Sequence, residues 1–155
     1  MTPAINSAKR AGIVYHIHEY SHDAAADSYG LEAAEKLGVA AAQVFKTLVV
    51  KLDGQQLAVG MVPVDKQLGL KQIAKAAGAK KAAMAVPAEV ERATGYVLGG
   101  VSPLGQKKRL PGFLDASAES FATLYVSAGR RGLEIELSPK DLLVLSQAQL
   151  APIAV

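Results

Sequence analysis

Apolar and polar positions alternate with two different periods along this chain, and glycine or proline marks most of the places where the period changes. Thr2-Pro3 sets an N-cap before a first-turn proline, which predicts a short helix to about Ala11, stopped at Gly12. From Ile13 to Tyr20 the period is that of a strand. It puts Val14, His16, His18 and Tyr20 on one face and Ile13, Tyr15, Ile17 and Glu19 on the other. Ser21 to Gly30 reads as loop. Leu31, Ala34 and Leu37 are then spaced for one apolar side of a helix that Gly38 ends.

The strongest local signal is a hairpin, Phe45 to Leu52 and Gln56 to Val62, because Asp53-Gly54 supplies the turn between two β-branched runs. Leu70 to Ala77 and Pro87 to Ala93 read as helices closed by Gly78 and near Gly95, with a short edge strand over Lys80 to Ala85 between them. Tyr96 to Leu98, Phe113 to Asp115, Leu124 to Val126 and Leu133 to Leu137 read as brief strands, and Ser138-Pro139 opens a last helix. Strands outnumber helices and come as hairpin neighbours. The expectation is one α+β domain over residues 1–155, with a mixed, mostly antiparallel curved sheet or partial barrel and flanking helices.

Composition narrows the chemistry. Half of the 155 residues are apolar but only 5% are aromatic, so the core is built from Ala, Val, Leu and Ile. The absence of cysteine excludes disulfides, thiolate metal sites and a cysteine nucleophile. A net charge of +3 favours encounter with polyanions without the charge density of a histone tail. No apolar run approaches a membrane span and the first residues carry no signal-peptide pattern, so a soluble cytoplasmic protein with no membrane partner is expected.

Gly99 to Arg109 (Gly-Gly-Val-Ser-Pro-Leu-Gly-Gln-Lys-Lys-Arg) concentrates three glycines and three cations, a combination suited to a phosphate-rich ligand and equally to a solvated turn. A P-loop is ruled out, since Gln106 stands where lysine must follow Gly105 and a lysine takes the place of the Ser/Thr. His16, His18 and His22 would need Glu19, Asp23 or Asp27 to complete a metal sphere, and no metal site is expected. A Ser102–Lys107 nucleophilic pair is disfavoured because Pro103 suits a turn better than a strained elbow. Lys46, a cation at the start of an apolar strand, has two readings: a partly buried ammonium that binds a carbonyl or phosphate, or a snorkelling edge lysine. Ser127 to Gly132 reads as a second cationic turn. Were the two turns to share a rim, Lys107, Lys108, Arg109, Arg130 and Arg131 would border an RNA-binding site; on opposite faces they would be solvated.

Thr2-Pro3-Ala4, His18-x-Tyr20-x-His22-Asp23, Phe45-Lys46-Thr47-Leu48, Gly95-Tyr96 through Arg109, and Tyr125-Val-Ser-x-Gly129-x-Arg131-Gly-Leu133 together resemble the YbaK/EbsC family of aminoacyl-tRNA editing proteins. The resemblance implies a free-standing enzyme, related to the editing domain of bacterial prolyl-tRNA synthetases, that cleaves Cys-tRNA(Pro), with Cys-tRNA(Cys) as a further substrate. It implies Lys46 as the functional hallmark, with Tyr20, Phe45, Thr47, Gly99, Gly100 and Ser127 around the substrate. Glu134 stands where the family often has Asp. The implied chemistry needs no cofactor: the substrate thiol attacks its own carbonyl, while Gly99 and Gly100 turn amides toward the oxyanion. Implied partners are the acceptor end of a mischarged tRNA and prolyl-tRNA synthetase, with no DNA. Other readings are a deacylase for another mischarged tRNA, such as Ala-tRNA(Pro), and a non-catalytic module that binds tRNA or a synthetase.

Overall fold

A computed structural model describes residues 1–23 and 28–155. The chain opens with α1 (Pro3–Ala11), β1 (His16–Glu19) and α2 (Tyr29–Leu37), and α1 is capped as expected: the Thr2 hydroxyl accepts from the Ile5 amide and also donates to the Ala128 carbonyl. Gly12 and Gly38 end the two helices with left-handed backbone. The hairpin of β2 (Phe45–Leu52) and β3 (Gln56–Pro63) turns through Asp53 and Gly54, both at positive φ, with the Gln55 amide bonded to the Leu52 carbonyl. Then come α3 (Leu70–Ala77), β4 (Ala82–Met84), α4 (Pro87–Thr94), β5 (Gly112–Asp115), β6 (Leu124–Arg130), β7 (Leu133–Leu137), α5 (Pro139–Ser146) and β8 (Gln149–Ala151).

These strands make two sheets. One has the order β1-β7-β6 and is wholly antiparallel; the other, β4-β2-β3-β5-β8, is antiparallel through its first three strands and parallel through its last three. Among the described residues a single bridge, between Val44 and Tyr125, joins them, so the structure is a mixed, mostly antiparallel and unclosed wrap of strands with helices outside. The main core lies between the sheets and α1 and α4, where Phe45, Met61, Leu104, Leu114, Leu124 and Ile135 are almost completely buried. Each such side chain contributes about 1.5–3 kcal/mol. The other face of β2 and β3 packs Val50 and Val62 against Ile73 of α3, and α2 closes a third, smaller cluster with Val44, Val64 and Tyr125.

Five local expectations are corrected. The strand expected over residues 13–20 is confined to β1, while Ile13 and Tyr15 still pack on the core and Val14 is exposed. The helix expected from Leu31 begins at Tyr29 and is turned differently: Leu31 is exposed and Glu32 is buried. The loop expected over 21–30 is thereby shortened, and its residues 24–27, Asp27 among them, lie outside the described residues. Tyr96 to Leu98 is not a strand: the Gly100 amide closes a turn on the Val97 carbonyl, and the Tyr96 hydroxyl reaches forward to the Leu104 carbonyl at 2.6 Å. Ser127 to Gly132 is not a free turn; β6 runs on to Arg130 through a bulge between Ser127 and Arg130, with Gly129 at φ 114°. The short β8 has no signal in the residue pattern.

Candidate active site

β4 pairs only with Val50 to Leu52, so no ladder continues along the first half of β2 on that side, where β6 meets the chain only through the Val44–Tyr125 bridge. A cleft of about 390 Å³ lies beside this stretch and is lined by residues from both faces of the strand: Phe45 and Thr47 of one, Lys46 and Leu48 of the other. The hydrogen-bond alternation settles where the backbone points. The Val64 amide bonds to the Val44 carbonyl and the Ala85 amide to the Val49 carbonyl, so the N–H and C=O of Thr47 face away from β3 toward the open edge.

Lys46 is half-buried on this wall. Loss of solvent pulls its ammonium below the ordinary lysine range, and the nearby Asp65 carboxylate works against that shift. Tyr20, Ser127 and Glu134 line the cleft from the three-stranded sheet, where Glu134 sits across from Ser127 on one side and His18 on the other. Glu134 is 7% exposed, and among the described residues its carboxyl has neither a hydrogen-bond donor nor a cation beside it. Burial pushes it up to about 8, while Tyr20 is pushed up to about 12 by burial and by the neighbouring carboxyls of Glu134 and Glu32. The Thr47 hydroxyl is likewise buried and unpaired among the described residues. Ser127 is already engaged, accepting from the Gly129 amide at 3.1 Å.

Each glycine of this stretch makes a close packing contact. Gly99, at φ +89°, lines the cleft directly under Tyr29, and a Cβ there would sit 2.7 Å from the tyrosine ring. Gly100 is set back from the cleft: a Cβ on it would meet the Arg130 backbone at 2.7 Å, and its amide is committed to the Val97 carbonyl at 3.0 Å. That geometry corrects the expectation that the Gly100 amide is turned to an oxyanion. Gly105 lets the loop lie on Pro3, whose carbonyl would be 2.5 Å from an added Cβ. Ser102 is fully buried and its hydroxyl accepts from the Leu104 amide, which is the turn role expected for it.

The five cations separate into two groups. Lys107, Lys108 and Arg109 are exposed and their side chains have no ion-pair partner among the described residues, while the amides of Lys107 and Lys108 cap the end of α4. Arg130 is exposed beside the glycine turn, with Glu19 at 3.6 Å. Arg131 is not a rim cation: its guanidinium bonds to the Asp23 carbonyl and to buried Glu32 at 3.3 Å, and lies 4.0 Å from the centre of the Tyr29 ring. It is a clamp that fixes the start of α2 and holds Tyr29 over the cleft. The Asp23 amide and Arg131 together keep the Glu32 carboxyl below its usual range. His18 bonds to Glu136 at 2.9 Å and packs near the Tyr125 ring, whereas His16 and His22 are exposed.

Tyr29, Ser28, Leu98 and Val101 also line the cleft and were not singled out from the sequence. Only the scarcity of aromatic residues could have pointed to Tyr29; the others carry no local signal.

The aminoacyl-tRNA editing domain profile matches residues 23–145. EbsC of Enterococcus faecalis, named for deacylation of Cys-tRNA(Pro) and Cys-tRNA(Cys), is 42% identical over 120 residues, covering 77% of this chain and 73% of its own. ProXp-y of Escherichia coli, named a multifunctional Ser/Thr-tRNA deacylase, is 31% identical over 121 residues, 76% of this chain and 72% of its own. Among solved structures, one described as a trans-editing enzyme for prolyl-tRNA synthetase superimposes with a TM-score of 0.85 at 25% identity, covering 100% of this chain and 99% of that one. With the fold, the cleft and the profile in agreement, this chain belongs to the aminoacyl-tRNA editing domain family.

Proposed function

We propose that this protein is a trans-acting deacylase that removes cysteine from Cys-tRNA(Pro), and from Cys-tRNA(Cys), by holding the aminoacyl-adenosine end of the tRNA in the cleft beside Lys46. The observation that carries this reading is the convergence of Lys46, Thr47, Gly99, Ser127 and Glu134 on one cleft of about 390 Å³, a volume suited to an aminoacyl group with part of its adenosine. The family and the name of the 42%-identical relative support the same class of substrate.

The cleft supplies position and polarity in place of a nucleophile. Its hydroxyls at Ser28 and Ser127 accept from the Leu31 and Gly129 amides, and no histidine lines it among the described residues, so no hydroxyl there is paired with an imidazole base. In this reading the cysteinyl sulfur, as thiolate, attacks the ester carbonyl of its own residue. The carbon–oxygen bond to the ribose then breaks, the leaving oxygen takes up a proton, and the amino acid departs as a four-membered thiolactone. Lys46 anchors the terminal phosphate or adenosine. With the Gly100 amide engaged, the amides of Gly99 and Thr47 are the cleft-lining donors left for the carbonyl oxygen as it gains charge. The sulfur is held near the carbonyl, where proximity alone can supply much of the rate.

Such a small cleft reads the acceptor end and little else of a tRNA. Selection for proline tRNA therefore comes partly from prolyl-tRNA synthetase acting as a partner in the cytoplasm. The experiment is a deacylation panel on purified protein with Cys-tRNA(Pro), Cys-tRNA(Cys), Ala-tRNA(Pro), Ser-tRNA and Thr-tRNA, with and without the synthetase. Cysteinyl esters should be lost first, and Lys46→Ala should slow that loss by about 100-fold or more, the scale of one preorganised catalytic interaction. A wild-type protein that leaves every ester intact is a binding module and not a deacylase. Preferential loss of alanyl, seryl or threonyl esters would move the assignment to that substrate, and an unchanged Lys46→Ala would remove Lys46 from the mechanism.

A further inference from the structure

One side chain in the cleft has no task in the chemistry just described. Glu134 stands near the start of β7, only 7% exposed, in a cleft also lined by Tyr20, Ser127 and Thr47. Buried carboxyls in folded proteins are almost always hydrogen-bonded or paired with a cation, because leaving one alone costs several kcal/mol. Here neither kind of partner exists among the described residues. Neither nearby cation pairs with it: Lys46 feels the Asp65 carboxylate and makes no ion pair with Glu134, and Arg131 is locked to Glu32 and the Asp23 carbonyl. Tyr20, the titratable neighbour that senses Glu134, stays a neutral phenol through the physiological range, since burial and the adjacent carboxyls push it up to about 12. Nothing among the described residues satisfies this group, so its complement comes from the ligand.

Resting on the reading of the cleft as an aminoacyl-ester site, the ligand has one group that can both hydrogen-bond this carboxyl and bring it a positive charge. The ribose offers hydroxyls, the ester offers acceptor oxygens, and the phosphate is anionic; only the α-amino group is cationic or readily protonated. We infer that Glu134 is a specificity-determining residue that receives the α-amino group of the esterified amino acid, so that the cleft accepts aminoacyl esters with a free amine and rejects N-acylated ones. The consequence reaches beyond the mischarged residue itself. Formylated initiator tRNA and peptidyl-tRNA carry the same ester but an amide nitrogen without positive charge, and would be spared.

The arrangement also fits a Glu134 that keeps its proton. With burial holding the Glu134 proton to about pH 8, an incoming neutral amine can take that proton as it docks, which creates the ion pair inside the cleft without first stripping water from two separate charges. A carboxyl on a rigid strand, fixed by pairing on both sides with β1 and β6, is also well placed to judge the size of what stands on that nitrogen.

The test is a cycle between one side chain and one ligand group. The ligands are 3′-cysteinylamino-3′-deoxyadenosine, in which an unreactive amide replaces the ester, and the same compound N-acetylated. Binding of each is measured by calorimetry to the wild-type protein, to Glu134→Gln and to Glu134→Asp. N-acetylation should weaken binding to the wild type at least tenfold and to Glu134→Gln less than twofold, with Glu134→Asp keeping part of the discrimination. Equal loss in wild type and Glu134→Gln, no loss in the wild type, or failure of both ligands to bind would each overturn the inference. Ester cleavage by the same preparations separates the two readings. A protein that cleaves mischarged tRNA yet binds both ligands alike remains a deacylase without an amine-reading glutamate. One that discriminates the ligands but leaves every ester intact keeps the amine site and loses the deacylase assignment.

Discussion

Glu134→Gln should make the folded protein less sensitive to a rise in pH between 4.5 and about 8, and the size of the effect can be worked from the site. A glutamate carboxyl ordinarily loses its proton near 4.5, whereas burial in the cleft holds this one to about 8. Between those values the unfolded chain has released a proton that the folded chain still binds, so stability falls as pH rises through that window and levels off above it. Below pH 4.5 both states are protonated and the penalty is absent. Each pH unit in the window is worth about 1.4 kcal/mol, which sets a ceiling of roughly 5 kcal/mol by pH 8. Glutamine keeps the shape and never ionises. Urea unfolding from about pH 5 to about pH 9 should therefore show the variant gaining on the wild type steadily with pH, by roughly 2 kcal/mol or more at pH 8. Parallel curves for the two proteins would refute the reasoning, because they would mean that the folded state exposes or pairs this carboxyl after all.

Three further outcomes follow from the geometry. Gly105→Ala places a methyl group 2.5 Å from the Pro3 carbonyl at a position with φ +65°, so it should cost about 2–4 kcal/mol in thermal or urea unfolding; a cost below about 1 kcal/mol would mean the loop moves away freely. Arg131→Ala should destabilise the protein clearly and lower activity, by leaving Glu32 buried without its cation and Tyr29 unsupported, whereas Arg130→Ala should leave the unfolding midpoint unchanged; equal effects of the two would contradict the division between clamp and rim. Replacing Lys107, Lys108 and Arg109 together with alanine should weaken tRNA binding and reduce the salt dependence of the binding constant by about 0.7–0.9 in log–log slope for each phosphate that is no longer neutralised, with no change in slope excluding these side chains from the tRNA path.

What could be read from the sequence was whatever is decided within a few residues. Thr2-Pro3, the helix-ending glycines and Asp53-Gly54 fix local backbone conformation by sterics and capping, and the elements they bound lie where they were expected. The errors arose where distant partners overrule local preference. Glu32 is buried because Arg131, far along the chain, reaches it, and with Glu32 turned inward Leu31 is left outside. Tyr96 has strand propensity, but its hydroxyl finds the Leu104 carbonyl. Ser127-Ala128-Gly129 has turn composition, yet the pairing of Ser127 with Glu134 and of Val126 with Ile135 keeps it in β6, and the glycine absorbs the misfit as a bulge. At the site, Lys46 was conspicuous because a cation inside an apolar strand is rare, and Glu134 was visible only through the family resemblance. The commitment of the Gly100 amide to Val97 is a local turn bond with Gly99 at φ 89°, so the glycine pair did carry its signature, as a turn and not as an anion cradle.

The shortness of β4 has a consequence for how this fold can vary. Its three residues cover only the far half of β2, and the cleft occupies the length it leaves bare. Had the edge strand continued for one more turn of the pleat, it would have zipped onto the Thr47 amide and sealed the binding space without altering a single residue of its lining. Insertions between α3 and α4 are thus the changes most apt to silence a member of this family, even when every side chain in the cleft is kept.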